Sequence, residues 1–333
     1  MRLNTEPFNR TERRPGLLPI EMVTLFYALL TLLMTVIKYP ELHHPGVLLA
    51  DRLLIILGIG ILAIVYYYRP SEGTRIFRTI FPISLLAYWY PDTYEFCSCY
   101  PYLDHLFAEA DATLFGCQPA MVFSEHFSGV FWSELFHLGY FSYYPMIGVA
   151  IVAPLFTSRR LFEKQAFIII TCFLLYYIIY LFLPVAGPQY YFNVVGHDAI
   201  NAIDYPSIGS YLRDNVVEPM QVGPDGPFHR LVAMMQGAGE RPTAAFPSSH
   251  VGISTILMIL FFRHEKKLAW GFLPLYIILC FSTVYIQAHY LVDVFGGLVS
   301  GAVFYVFAHW LYGLIHVKHP TRRHHHHHHE TAE

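Results

Sequence analysis

Residues 19–37 read PIEMVTLFYALLTLLMTVI, nineteen positions with a single charge at Glu21. A helix rises 1.5 Å per residue, so this run alone spans the roughly 30 Å hydrocarbon core of a bilayer. No small-residue cleavage site follows it, so it reads as a retained helix and not a signal peptide. Seven further apolar runs lie at about 47–68, 76–90, 130–156, 166–183, 250–262, 268–287 and 293–315. Two are short: 76–90 carries Arg78 and stops at Pro91, and 250–262 gains length if its helix starts at the Pro247-Ser248-Ser249 cap. The expected fold is an all-α integral membrane protein, a polytopic helical bundle of about eight transmembrane helices, with six to eight as the range.

Composition excludes the other classes. Of 333 residues, 55% are hydrophobic, 17% aromatic and 14% charged, and the mean hydropathy is +0.42, far from a soluble enzyme. A net charge of −3 with no basic patch excludes nucleic acid as a partner. Six histidines at 324–329 followed by Glu-Thr-Ala-Glu read as a purification tag without fold information.

Basic residues orient the spans. Sixteen of the 21 lie in 1–19, 69–78, 158–164, 263–267 and 318–323, segments that share one side if the runs alternate. The positive-inside rule makes that side, with both termini, cytoplasmic. The loops 38–46, 91–129, 184–249 and about 288–292 then face the exterior or periplasm, and the expected location is a plasma or bacterial inner membrane. Three regions result: 1–129, helices and an external interfacial loop; 130–317, the helical core with the chemistry; 318–333, a tail with the tag.

The loop 91–129 mixes acids (Asp92, Glu95, Asp104, Glu109, Asp111, Glu125) with aromatic residues, as a segment lying on a membrane surface would. Its carboxylates lack compact ligand spacing, so no metal and no cofactor is expected. Cys117 pairs with Cys97 or Cys99 if that face is oxidising, or all three remain thiols; both readings stand.

Chemistry concentrates in two segments on the external side. The first is Ala245-Phe246-Pro247-Ser248-Ser249-His250, leading into an apolar helix; the second runs from Ser282 to Asp293 through His289. Ser248, Ser249 and the free amides of a helix N-terminus form a site for a phosphate. Placed four apart on one helix, His289 and Asp293 would share a face, and a carboxylate bonded to one ring nitrogen leaves the other basic and nucleophilic. His250 is the partner acid and base. Ionisable groups at membrane depth are functional by default. His137 and His309 read instead as hydrogen-bonded core residues.

These segments resemble the second and third motifs of the type-2 phosphatidic acid phosphatase superfamily. The second, Pro-Ser-Gly-His, is matched by Pro247, Ser248 and His250, with Ser249 in the glycine position. The third, Ser-Arg, five residues, His, three residues, Asp, is matched by Ser282, His289 and Asp293, with Thr283 replacing the arginine. The first, Lys, six residues, Arg-Pro, falls on Tyr180 to Pro188, where only the proline remains. The missing cations and the phrase His289-Tyr290-Leu291-Val292-Asp293 are similar to the branch of inositol phosphorylceramide and sphingomyelin synthases. That branch implies a metal-independent transfer of a phospho-alcohol headgroup through a phosphohistidine on His289.

A monoanionic diester needs less positive charge than a dianionic monoester, which accounts for the lost cations. Arg241, six residues before Pro247, is the candidate to restore part of that charge. Glu134, Gln189 and Tyr290 are candidates for contact with headgroup or acceptor, and Glu134 has hydrogen bonding to a neighbouring helix as its ordinary reading. The expected partners are membrane lipids, phosphatidylinositol and a ceramide-like acceptor, with no obligate protein partner. The alternatives are a lipid phosphate or pyrophosphate phosphatase, and a lipid-binding protein without catalysis.

Overall fold

The computed structural model describes residues 16–317, and these form helices joined by turns and loops. The terminal basic clusters and the 318–333 tail lie outside the described residues. In chain order the helices are α1 (Pro19–Ile37), α2 (Pro45–Tyr68), α3 (Glu72–Ser84), α4 (Leu86–Cys97), α5 (Asp104–Phe115), α6 (Pro119–His126), α7 (Val130–Phe141) and α8 (Tyr143–Val152). There follow α9 (Arg159–Phe182), α10 (Pro188–Val195), α11 (Asp198–Ala202), α12 (Tyr211–Asp214), α13 (Pro227–Gly239), α14 (Ser249–His264), α15 (Lys266–Tyr285) and α16 (Leu291–Val317). Proline in the first turn opens α1, α2, α6, α10 and α13, where a missing N–H costs nothing. Serine hydroxyls cap α3, α9 and α14, each accepting an amide of the first turn.

Among the described residues, six segments are long and apolar enough to cross a membrane: Pro19–Ile37, Pro45–Tyr68, Val130–Phe156, Arg159–Phe182, Lys266–Tyr285 and Leu291–Ile315, with Ser249–His264 shorter. Two of the eight expected runs are not single helices. Run 76–90 is divided at Leu85 between α3 and α4, with Pro82 near the break. Run 130–156 is divided at Ser142, because Pro145 has no N–H to give the carbonyl of Phe141 four residues earlier.

The bundle is organised around α9, which beyond its charged first turns is apolar on every side and buried along most of its length against α1, α4, α8, α14 and α16. By contrast α2 turns Leu53, Leu54, Leu57, Ile61 and Ile64 outward, a face suited only to lipid. Two buried arginines are paired with carboxylates. Arg52 meets Asp92 at 2.5 Å with Tyr88, Trp89 and Phe96 around its guanidinium, and Arg78 holds Glu21 through two bonds of 2.7 and 2.5 Å.

One end of the bundle carries α5, α6 and α10 to α13, tied across by Tyr102 to Pro242, Tyr94 to Leu212 and Arg213 to Glu41. The other carries Arg75 with Glu163 and Lys164 with His309. The five cysteines are free: Cys97 turns inward to the hydroxyl of Thr243 at 2.8 Å, while Cys117 is exposed between α5 and α6, so neither pairing considered for Cys117 is formed.

Helices α14 and α16 approach through glycines. A Cβ on Gly252 would enter the ring and hydroxyl of Tyr176, and one on Gly301 would lie 2.7 Å from the Gly252 carbonyl. Gly252→Val is expected to destabilise the protein by at least about 1–3 kcal/mol, read as a lowered thermal midpoint in detergent. Gly148→Val, where a side chain meets open space, should leave the midpoint unchanged; equal behaviour of the two would refute this packing.

Candidate active site

The segments 184–189, 243–250 and 286–293 meet at one end of α9. Ala245 N–H donates to Val185 O at 2.9 Å, Gln189 N–H to Gln287 O at 2.8 Å, and Ser248 N–H to Asp293 O at 3.1 Å. Gly187, at φ +96°, lets the backbones touch, since a Cβ there would strike the Ala288 carbonyl. Tyr180 locks the start of α14 by donating to Pro247 O at 2.6 Å and accepting from Ser249 N–H at 3.1 Å.

This framework brings His250 and His289 together, their ring centroids 5.7 Å apart. His250 lies between two tyrosine rings, Tyr140 at 4.6 Å and Tyr143 at 4.5 Å. Both rings come from the break at Ser142, so the proline that interrupts the helix also shapes the site.

His289 precedes α16, and the shared helical face expected with Asp293 is therefore absent. Its Nδ1–H donates instead to the Ala245 carbonyl at 2.7 Å, and Asp293 Oδ2 stands 3.6 Å away, beyond hydrogen-bond reach. Asp293, in the first turn of α16, folds back to accept the Tyr290 amide at 2.8 Å. The consequence for the imidazole is unchanged: a carbonyl only accepts, so Nδ1 carries the proton and Nε2 keeps its lone pair. Burial pulls the His289 imidazole down to about 4, with the Ala245 bond opposing the fall. The ring is neutral at pH 7. The unfolded chain takes that proton below about 6.5, so this group's contribution to stability is intact above that value and is lost as pH falls toward 4.

The other anticipated residues divide. Ser248 uses its hydroxyl to accept the Val251 amide at 3.3 Å, and the Ser249 amide is held by Tyr180. Of the first-turn amides expected to face phosphate, that leaves His250 N–H without a partner among the described residues. Gln189 lines the small cavity between the histidines, and Arg241 stands exposed at its rim, donating to Glu240 O at 2.9 Å. Glu134 does not face that cavity; it caps α13, accepting the amides of Phe228 and His229 at 2.9 and 3.0 Å. Tyr290 also turns away, its hydroxyl donating to Asp104 at 3.0 Å.

Glu240 went unread in the sequence. It is reached by Tyr140 OH at 2.9 Å and Gln189 Nε2 at 3.2 Å, and Gln236 Nε2 in turn donates to Gln189 at 3.3 Å. Burial pushes its carboxyl up, while bonds from Tyr140, Gln189 and Gln236 pull it back. Its one sequence signal is a carboxylate beside Arg241 just before the serine-histidine segment. Glu240 also joins two larger spaces. An apolar cavity of about 780 Å³ runs from Ser249 and His250 along Tyr143, Ile147, Phe173 and Met235. A polar cavity of about 440 Å³ opens between Tyr190, Arg213, Glu218, Gln221, Gln236 and Arg241.

A family model described as the PAP2 superfamily matches residues 107–311, which include both histidines, Glu240 and Asp293. No curated protein and no solved structure matches the chain. The protonation of the central imidazole is directly measurable. NMR of ¹⁵N-histidine-labelled protein in detergent, assigned with His289→Ala, should show His289 as the neutral Nδ1–H tautomer at about pH 5.5, where an unperturbed imidazole is mostly charged. A doubly protonated ring there would contradict the arrangement.

Proposed function

Since the chain belongs to the PAP2 superfamily, whose members are phosphatases or phosphotransferases, we propose that it moves a phospho-alcohol headgroup, inositol phosphate, from a phospholipid to a ceramide-type lipid. One observation carries this reading: the small space between the histidines shares Glu240 with an apolar cavity, which His250 also lines, and shares Glu240 and Arg241 with a polar one. A phosphate monoester being hydrolysed has nothing beyond its phosphorus. A phosphodiester headgroup needs room on the side away from the lipid tails, and the polar cavity offers it. The mixed donors and acceptors there, Arg213, Glu218, Gln221, Gln236 and Arg241, match a neutral polyol better than a cation.

In this mechanism Nε2 of His289 attacks phosphorus, and the bond to the diacylglycerol oxygen breaks as His250 gives that oxygen a proton. The acceptor hydroxyl, brought through the apolar cavity, then loses its proton to His250 and attacks phosphorus. The P–N bond breaks, and His289 returns as neutral imidazole. Asp293, close to Nδ1 without bonding it, favours the charge that the ring carries while phosphorylated. Arg241 and the His250 amide would steady the phosphoryl oxygens. In the membrane, we assign the loop-rich end with the histidines to the exterior or periplasm, and the end with Arg75, Arg159, Lys164 and Arg263 to the cytoplasm.

The test is an assay of the detergent-purified protein with phosphatidylinositol plus a ceramide, and in parallel with phosphatidic acid. Expected are a phosphoinositol ceramide and diacylglycerol in equal amounts, both requiring the two substrates, and a loss of at least roughly 10³-fold in His289→Ala. Inorganic phosphate from phosphatidic acid, with no such lipid, would establish a phosphatase and remove the explanation given for the lost cations. Unaltered turnover in His289→Ala would sink the mechanism.

A further inference from the structure

Helix α5 was expected to be a solvated acidic face of an interfacial loop. Two of its acids are instead fully buried, Asp104 and Asp111, two turns apart on one side of the helix with buried Ala108 between them. Asp104 accepts the Ala186 amide at 2.9 Å, the Gly187 amide at 2.8 Å and the Tyr290 hydroxyl at 3.0 Å. Asp111 accepts the amides of Leu291 and Val292 at 2.8 and 3.0 Å, where α16 starts and negative charge is favoured. Neither carboxylate has an ion-pair partner among the described residues. All five donors lie in the two segments that flank His289, and Gly187 is the residue pressed against the Ala288 carbonyl.

We infer that Asp104 and Asp111 are positioning residues: a two-point clamp from α5 that sets where the 286–292 segment holds His289 against the Ala245 carbonyl and His250. Buried carboxylates without a counter-charge are a costly way to pack a helix, and apolar side chains would do it at less cost. Burial pushes both carboxyls up to about 6, with the bound amides opposing the rise. What apolar packing cannot do is fix backbone amides in direction, and a nucleophile displaced by about 1 Å loses on the order of 10²-fold in rate. The inference rests on His289 being the nucleophile.

The experiment measures kcat, KM and the thermal midpoint for Asp104→Asn, Asp111→Asn, Asp111→Glu, Glu109→Gln and His289→Ala, with whichever lipid substrate turns over. Asparagine turns one acceptor of the clamp into an NH₂ facing backbone amides. Each Asn variant should lose roughly 10- to 100-fold in kcat with KM within about twofold, Asp111→Glu should recover part of the loss, and Glu109→Gln, exposed on the same helix, should match the wild type. Should an Asn variant not fold, a lowered kcat in Asp111→Glu at an unchanged thermal midpoint still supports the clamp. Inactive His289→Ala beside unaltered Asp variants would overturn the clamp alone, and so would losses in kcat that merely track the thermal midpoint. Active His289→Ala would remove the nucleophile and the clamp together.

Discussion

The proton on Nδ1 of His289 goes to the carbonyl of Ala245, 2.7 Å away, and that bond joins the two chain segments on which the site is built. It fixes the tautomer, leaves Nε2 with its lone pair, and fastens the turn before α16 to the approach to α14. The surrounding contacts serve that meeting: the glycine contacts of α14 with α16, Gly187 under the 288 carbonyl, and Tyr180 holding the cap. A hydrogen bond of this kind is strong where water is excluded and its absence would leave a buried donor unmatched.

Much of the fold was legible because length and apolarity are local properties. Runs 19–37, 268–287 and 293–315 lie within two residues of helix ends. Run 166–183 begins seven residues late, since Arg159, Arg160, Glu163 and Lys164 hide the first turns of α9 behind charges. The divisions at Leu85 and Ser142 follow from prolines whose effect on a long apolar run depends on packing, which sequence does not display. The superfamily was readable from the two histidine segments, and the match over residues 107–311 agrees with it.

The site was legible where chemistry is written in spacing and illegible where it is assembled in space. His250 and His289 meet, as their two motifs implied. The expected bond from Asp293 to the imidazole assumed one helix holding both residues, whereas α16 starts at Leu291, two residues after His289. Tyr140 and Tyr143 reach the site from separate elements with no sequence interval that connects them to the histidines, and Glu240 offers only its place just before the serine-histidine segment. Asp104 and Asp111 looked like surface acids because nothing local distinguishes a carboxylate facing water from one facing two or three hydrogen-bond donors.

Helix α13 separates the two large cavities. Leu231, Met234, Met235 and Ala238 face the apolar one, while Ala233, Gln236 and Gly237 face the polar one, and Glu240 just beyond its end touches both. Apart from that residue the two linings share no position. On the proposed headgroup transfer, changes that suit a longer or shorter acyl chain would therefore fall on residues different from those that suit another headgroup. Under that proposal, tail preference and headgroup preference would be two nearly independent traits, able to diverge one at a time in descendants of this sequence around an unaltered histidine pair.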